Sequence, residues 1–467
     1  MRVTKSLILS WILSATITGY GAAAMSEQTL SLGVFQSQYV TDSSASSNAN
    51  QTSSFIPNFK MSESVFKDKV RAEGDMSAIV PMQQGGEFHV WFPSLNLQFG
   101  DRLRSSTTKR QTQVTFGRAI KSWSRLDTEW GLGLWQPQFR FDYIRPKQMG
   151  LTGLFYETEK ELLKFTAFAS GLYLPDQQGE FDVTDGKFVS KNRWFRPPVT
   201  QLEIEKGTSD IYYELDKPSV SSVIWNPSYG IALRAGEEES GPWIQFAMAD
   251  KPANQLHIGI EPEDALKLSD DKKVHPIIHP QLVRHRLLTA EAGYQGSTTN
   301  FYASVTGESF EDPKLPEMWK ETPLEDSIYY GIGGSQLTEV LGFKTVIYSG
   351  LVFKDVVGDN EPAGMGEELS TSIQKVAFER LFNVGIRYPM HPKVFTKWAT
   401  DLKYTYSMSD RAEWLMAQVS YAPKKDWSFY LGADVLGAPD KVESDKLSFI
   451  SKYRDNDRIE GGFTHVF

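Results

Sequence analysis

Among the side chains that could do chemistry, His275, His279 and His285 come first, because three imidazoles lie close together in the chain. Pro276 and Pro280 interrupt any helix that would bring them onto one face, and the absence of cysteine excludes a thiolate site. The other histidines, His89, His257, His391 and His465, are scattered, so solvated histidines are the simpler reading and no metal or cofactor is expected. Nucleophile-elbow and phosphate-loop patterns are missing, and Gly331, Gly333 and Gly334 fall in a strand pattern where they suit close packing. What remains is a set of charges: Arg118, Arg125, Asp127, Arg140, Asp142, Lys397, Asp401, Lys403, Asp426 and Asp434. Fixed charges of both signs facing water can set the field felt by a passing solute, or can pair with one another and simply fill a wall. As a set they imply a wet interior.

The elements that position them read as strands of period two. In Phe395 to Ser407, Trp398, Leu402, Tyr404 and Tyr406 share one face while Lys397, Asp401 and Lys403 share the other. In Trp427 to Leu436, Trp427, Phe429, Leu431, Ala433 and Val435 oppose Asp426, Ser428, Gly432 and Asp434. Asp127 to Asp142 shows a change of parity at Gln136-Pro137. A bulge there reconciles the two halves and places Asp127, Glu129, Gln138, Arg140 and Asp142 on one wet side. The chain closes on Arg458 to Phe467, where Ile459, Gly461, Phe463, His465 and Phe467 face one way and Arg458, Glu460, Gly462, Thr464 and Val466 the other. One face suits lipid, the other water.

The same rhythm runs from Gln28 to the end, with no helical period of length and no repeat at propeller spacing. Candidate strands include Gln255 to Ile260 and Leu447 to Arg454, whereas Thr41 to Ser54, rich in Ser, Asn and Thr, reads as a solvated loop. Pro175 to Pro218 breaks the pattern. Its Asp176, Asp182, Asp185, Trp194, Phe195 and Arg196 suit an inward constriction loop or a packed lid. The total is 18 to 20 strands, with about 18 chosen because single-chain outer-membrane barrels favour even counts. The fold class is therefore all-β, a transmembrane antiparallel barrel with short periplasmic turns and longer extracellular loops. Counting back from Phe467 puts the longish Asp355 to Ser372 connection on the periplasmic side, which signals one wrongly placed strand nearby.

Composition agrees. Aromatics make up 13% of the chain, with 28 Phe, 19 Tyr and 12 Trp, and the mean hydropathy is −0.36. Strands with one lipid face and one water face, girdled by aromatics, produce that combination. Arg2 and Lys5, the apolar run Leu7 to Ile17 and Ala22 to Ala24 have the order of a signal peptide over residues 1–24, leaving 25–467 as a single barrel. The net charge of −9 argues against a nucleic-acid partner.

The closing strand, with its terminal Phe467, resembles the signal of bacterial outer-membrane barrels that their assembly machinery reads at Phe463, His465 and Phe467; His465 stands where that family more often has Tyr or Phe. Phe116-Gly117-Arg118, then Ser122-Trp123-Ser124, Asp127 and Trp130, resembles a hairpin of porin-like barrels, including capsule-assembly, carbohydrate-porin and exopolysaccharide-secretion proteins of deltaproteobacteria. The resemblance implies an outer-membrane location and a channel for a hydrophilic solute or polymer, in polysaccharide export if the last group applies. Outer-membrane lipid, assembly machinery, a polysaccharide or small solute, and periplasmic export partners are the implied partners. A non-conducting structural or adhesion barrel is the first alternative. An outer-membrane lipid hydrolase is the second, and is disfavoured because it needs Ser and His near the outer girdle whereas His465 lies at the periplasmic end. No enzyme is expected.

Overall fold

The computed structural model describes residues 26–467 apart from 41–49, 66–69, 83–85, 101–109, 199, 205–206, 237–239, 263–272, 312–319, 322–325, 341, 358–379, 389–396 and 440–448. Residues 1–24, His391 and part of the Asp355 to Ser372 connection lie outside the described residues.

One antiparallel sheet of 18 strands forms the wall. Its first half runs β1 (Ser26–Tyr39), β2 (Gln51–Val65), β3 (Val70–Pro81), β4 (His89–Gly100), β5 (Arg110–Ala119), β6 (Leu151–Lys160), β7 (Leu163–Ser170), β8 (Ser228–Gly236) and β9 (Gly241–Pro252). The second half runs β10 (Arg284–Gln295), β11 (Thr299–Phe310), β12 (Asp326–Val340), β13 (Phe343–Val357), β14 (Arg380–Tyr388), β15 (Trp398–Ser407), β16 (Glu413–Lys424), β17 (Trp427–Gly437) and β18 (Arg458–Val466). Each strand pairs with the next in sequence, and β18 returns to β1 in a register from Ser31↔Val466 to Tyr39↔Arg458. The sheet therefore closes on itself, so its ladder groups pair from strand to strand rather than with water.

Alternation decides which side each residue takes. On β9, Ile244, Phe246 and Met248 are exposed while Trp243, Gln245 and Ala247 are buried. On β18, Ile459 and Phe463 are exposed and Arg458 is buried. Outward Leu95, Leu97, Phe116, Leu233, Ile332, Leu402 and Leu431 continue this apolar belt around the wall. At roughly 25 cal/mol per Å² such a belt is costly in water and favourable in hydrocarbon, so the molecule is a transmembrane barrel of the bacterial outer membrane.

Short connections such as Lys160 to Leu163, Val340 to Phe343 and Lys424 to Trp427 gather at one mouth, together with Ser26 and Phe467. The other mouth carries the stretches 120–150, 171–227 and 253–283.

Four expectations are corrected. Asp127 to Asp142 is not a wall strand: it holds a helix, Arg125–Trp130, and only a three-residue strand, Gln138–Arg140. Gln255 to Ile260 lies in a small sheet of the long-loop mouth, where His257–Pro262 pairs with Pro276–Gln281. Leu447 to Arg454 contains the short helix Phe449–Lys452. Conversely β2 begins at Gln51, inside the stretch read as solvated loop, because pairing of Gln38↔Gln51 and Ser37↔Thr52 satisfies its polar backbone regardless of composition. Removing Leu447 to Arg454 from the wall reverses the direction of every strand counted back from it, and the connection after Val357 then joins strand ends at the long-loop mouth.

Candidate functional site

The barrel's interior is organised by the stretch 120–150, which leaves the wall after β5, crosses the lumen and returns at β6. Ser124 caps its helix, accepting from the Asp127 amide at 3.2 Å, and Gly131 ends the helix in the left-handed region at φ 60°. The first turn faces a wall carboxylate. Glu291 of β10 accepts from Ser124 Oγ at 2.7 Å, from the Arg125 amide at 2.9 Å and from the Leu126 amide at 3.3 Å, while Ser304 Oγ of β11 donates to it at 2.8 Å. Exposed helix N–H groups favour an anion there, so Glu291 fastens the loop to the wall.

Packing completes the attachment. Trp123 and Trp135 stack at 5.5 Å, Trp135 Nε1 donates to Thr289 Oγ1 at 3.1 Å, and Gln245 Nε2 donates to the Trp123 carbonyl at 2.8 Å. Two and three strands further along the wall, a Cβ at Gly331 of β12 would lie 2.6 Å from Leu126 Cδ1, and one at Gly350 of β13 would lie 3.2 Å from Trp130 Cζ2. Those glycines make room for the helix as well as for neighbouring strands.

The return half is held by charge. Asp142 lies 2.7 Å from Arg458 Nη2, and Arg145 Nη2 lies 2.9 Å from Asp434. Arg145 also pairs with Glu460 and donates to Tyr430 Oη at 2.7 Å. Arg458 Nε lies 2.8 Å from Asp434, whose carboxylate further accepts from Trp414 Nε1 at 3.2 Å. Asp434 is thus a buried carboxylate with donors from Arg145, Arg458 and Trp414, and removing it leaves two arginines desolvated without their shared acceptor.

The sequence-selected charges divide by place. Asp401, Lys403 and Asp434 are on the inner face of the wall: Asp401 meets Arg387 at 2.8 Å and Tyr348 Oη at 2.8 Å, and Lys403 lies 5.9 Å from the Trp130 ring. Arg125, Asp127, Arg140 and Asp142 sit on the inward loop, not on a wall strand. Asp127 turns back into its own loop and accepts from the amides of Leu134 at 2.9 Å and Trp135 at 3.3 Å. Arg125 pairs with Glu129 at 2.7 Å on a partly exposed helix face. Arg118 holds the loop's exit by donating to the Gly150 carbonyl at 2.9 Å. Lys397, just before β15, and Asp426, in the turn before β17, stand at the short-turn mouth rather than in the lumen. Asp426 lies 3.7 Å from His465, which packs against Trp427 and Phe467. Glu291, Arg145, Arg387 and Glu460 were missed. Glu291 and Glu460 occupy inward parities, so the signal was present but a single acid on a strand does not reveal its partner.

Above the inward loop lies the segment read as constriction or lid. Asp176 pairs with Arg140 at 2.7 Å with both side chains buried, and Asn192 Nδ2 donates to the Phe141 carbonyl at 3.1 Å. Burial pushes the Asp176 carboxyl up, against the pull of Arg140. Trp194 is buried 5.5 Å from the Tyr453 ring, Phe195 stacks on Phe181, and Arg196 Nε donates to the Lys452 carbonyl at 3.1 Å. Asp182 instead faces solvent beside Lys217. The segment covers the inward loop.

His275, His279 and His285 are separated by their settings. His275 stacks on Tyr212, His279 lies between Asp216 and Glu261, and His285 meets Glu308 on the inner wall.

An edgeless 18-stranded wall with an apolar belt and an inward loop defines a porin-like barrel. No protein-family model matches the chain, and no curated protein matches it in sequence. Among solved structures it is similar to OccAB3 of Acinetobacter baumannii, at 10% identity over 95% of this chain and 99% of that one, with a TM-score of 0.49. It is similar to OccK2 (OpdF) of Pseudomonas aeruginosa at 8% identity, 95% and 97% coverage and a TM-score of 0.48. OpdQ of the same organism gives 8% identity, 95% and 98% coverage and a TM-score of 0.46. The architecture rests on the strand register described above. The stretch that carried the resemblance to exopolysaccharide-secretion barrels is not a hairpin: Phe116-Gly117-Arg118 lies at the end of β5, whereas Trp123, Asp127 and Trp130 belong to the inward loop.

Proposed function

We propose that the protein is a porin-like channel that passes small hydrophilic solutes through a lumen narrowed by residues 120–150. The observation that carries this reading is the loop's double attachment, to Glu291 on one side and to Asp434, Glu460 and Arg458 on the other. Beside it, Arg125, Glu129, Arg387 and Asp401 remain partly exposed. Charges of both signs in a narrow passage orient a polar solute and select by charge distribution as well as size. Lipid around the apolar belt and assembly machinery acting on Phe463, His465 and Phe467 belong to the same reading. A polymer is the weaker cargo, because the loop crosses the lumen and many linked attachments would have to break to clear it.

Single-channel recording in planar bilayers tests this. The wild type should conduct, and a variant with 124–146 replaced by a short Gly-Ser linker should conduct several-fold more while remaining heat-modifiable on a denaturing gel. Absence of current in both proteins would leave the structural or adhesion barrel as the better reading.

A further inference from the structure

At the long-loop mouth, between the inward loop and its cover, lies a cavity of about 330 Å³. Its floor includes Tyr143 of the inward loop, its roof includes Phe181, Phe188 and Phe195, and Tyr453 of the last long connection closes a side. Leu215, Ile278 and several prolines make the remaining wall apolar. Pockets of this size that recognise small molecules combine an apolar lining with a few placed polar groups.

The charges at its edge are unequal. Arg140 is neutralised by Asp176 at 2.7 Å, and Lys217 by Asp182 at 3.3 Å. Arg196 forms no ion pair among the described residues. Its Nε and Nη1 donate only to main-chain carbonyls, those of Lys452 at 3.1 Å and Arg193 at 2.9 Å, and its Nη2 is buried without a hydrogen-bond partner. Lys452 lines the same cavity. A desolvated guanidinium nitrogen without an acceptor is costly, and an incoming anion removes that cost.

We propose that this cavity binds a small organic anion whose body is an apolar or aromatic ring system, with Arg196 taking the anionic group and Phe181, Phe188 and Tyr453 enclosing the rings. The cavity shares Arg140 and Tyr143 with the inward loop, and binding there does not depend on whether the barrel conducts. Aromatic faces supply most of the contact area at low entropy cost, and the cation supplies selection against neutral molecules of the same shape.

Binding to the full-length barrel in non-ionic detergent tests this, with the micelle-only signal subtracted. The probes are 2-naphthoate, neutral 2-naphthalenemethanol, and acetate as an anion without a ring. Naphthoate should bind about tenfold more tightly than the alcohol, acetate should not bind measurably, and Arg196→Gln should reduce naphthoate to the level of the alcohol. Arg196→Lys should restore part of the difference. Phe188→Ala should weaken both ring compounds, and it decides the matter with the wild-type comparison if Arg196→Gln fails the heat-modifiability check. Equal affinity for naphthoate and the alcohol, or naphthoate affinity untouched by an assembled Arg196→Gln barrel, overturns the proposal, and neither result bears on conductance.

Discussion

The closing strand β18 and the inward stretch 127–142 look alike in sequence and end in opposite environments. Both alternate apolar and charged residues. In β18 the alternation holds one parity from Arg458 to Val466, because lipid lies on one side for the whole length. In 127–142 the parity breaks at Gln136-Pro137, and Trp130, Leu132, Leu134, Trp135 and Phe139 are all buried. No side of that stretch meets lipid. A bulge was one way to repair the parity; the break instead marks a chain that turns through the lumen and buries apolar residues on every side.

The largest expected effect tests β18. The Phe467 amide donates to the Leu30 carbonyl at 2.8 Å and its ring lies at the end of the apolar face. Deleting Phe467 or replacing it with Asp should abolish assembled, heat-modifiable protein while leaving the exported chain detectable in the periplasm. Normal assembled levels would show that the terminal residue has no such role.

The inward stretch should respond differently, by changing the lumen without losing the wall. Glu291→Ala leaves the Arg125 and Leu126 amides without their acceptor, a loss of about 1–3 kcal/mol at the attachment. The barrel should still assemble, with protease cleavage within 124–146 appearing and with larger, noisier conductance. Loss of heat-modifiability in this variant would mean that loop and wall fold as one unit, and the contrast would fail.

A smaller change is expected from deleting Gly179 to Trp194, which removes part of the cover but leaves Glu291 and Arg145 in place. Access of larger sugars should increase modestly with the constriction retained. A rise equal to that caused by replacing 124–146 would shift the narrow point from the loop to its cover.

The smallest effect is in pH. Burial, helped by the neighbouring Arg196, pushes the Lys452 ammonium down to about 7. Its charge is therefore present below that pH and lost above it, so naphthoate affinity should fall about threefold between pH 6 and pH 8. A flat profile would exclude Lys452 from the anion's surroundings.

The wall was legible because its signal is local. Residues two apart report which side meets lipid, and Ile459, Phe463 and Phe467 against Arg458 and Glu460 state it without reference to any distant part of the chain. The choice of about 18 strands rested on the even counts of single-chain outer-membrane barrels, and it agrees with the wall although three candidate strands are misplaced and β2 was overlooked. Leu447 to Arg454 failed because a short apolar run reads as strand or helix alike, and β2 was overlooked because Gln51-Thr52-Ser53-Ser54 looks like loop until β1 pairs with it. Only the tertiary structure decided what each inward charge meets. Arg145 reaches Asp434 and Glu460, Ser124 reaches Glu291, and Arg193 reaches Asn456, across separations of 289, 315, 167 and 263 residues. A strand's alternation fixes that a charge faces the lumen; which partner stands opposite depends on barrel closure and on how a loop of irregular backbone satisfies its own hydrogen bonds inside it.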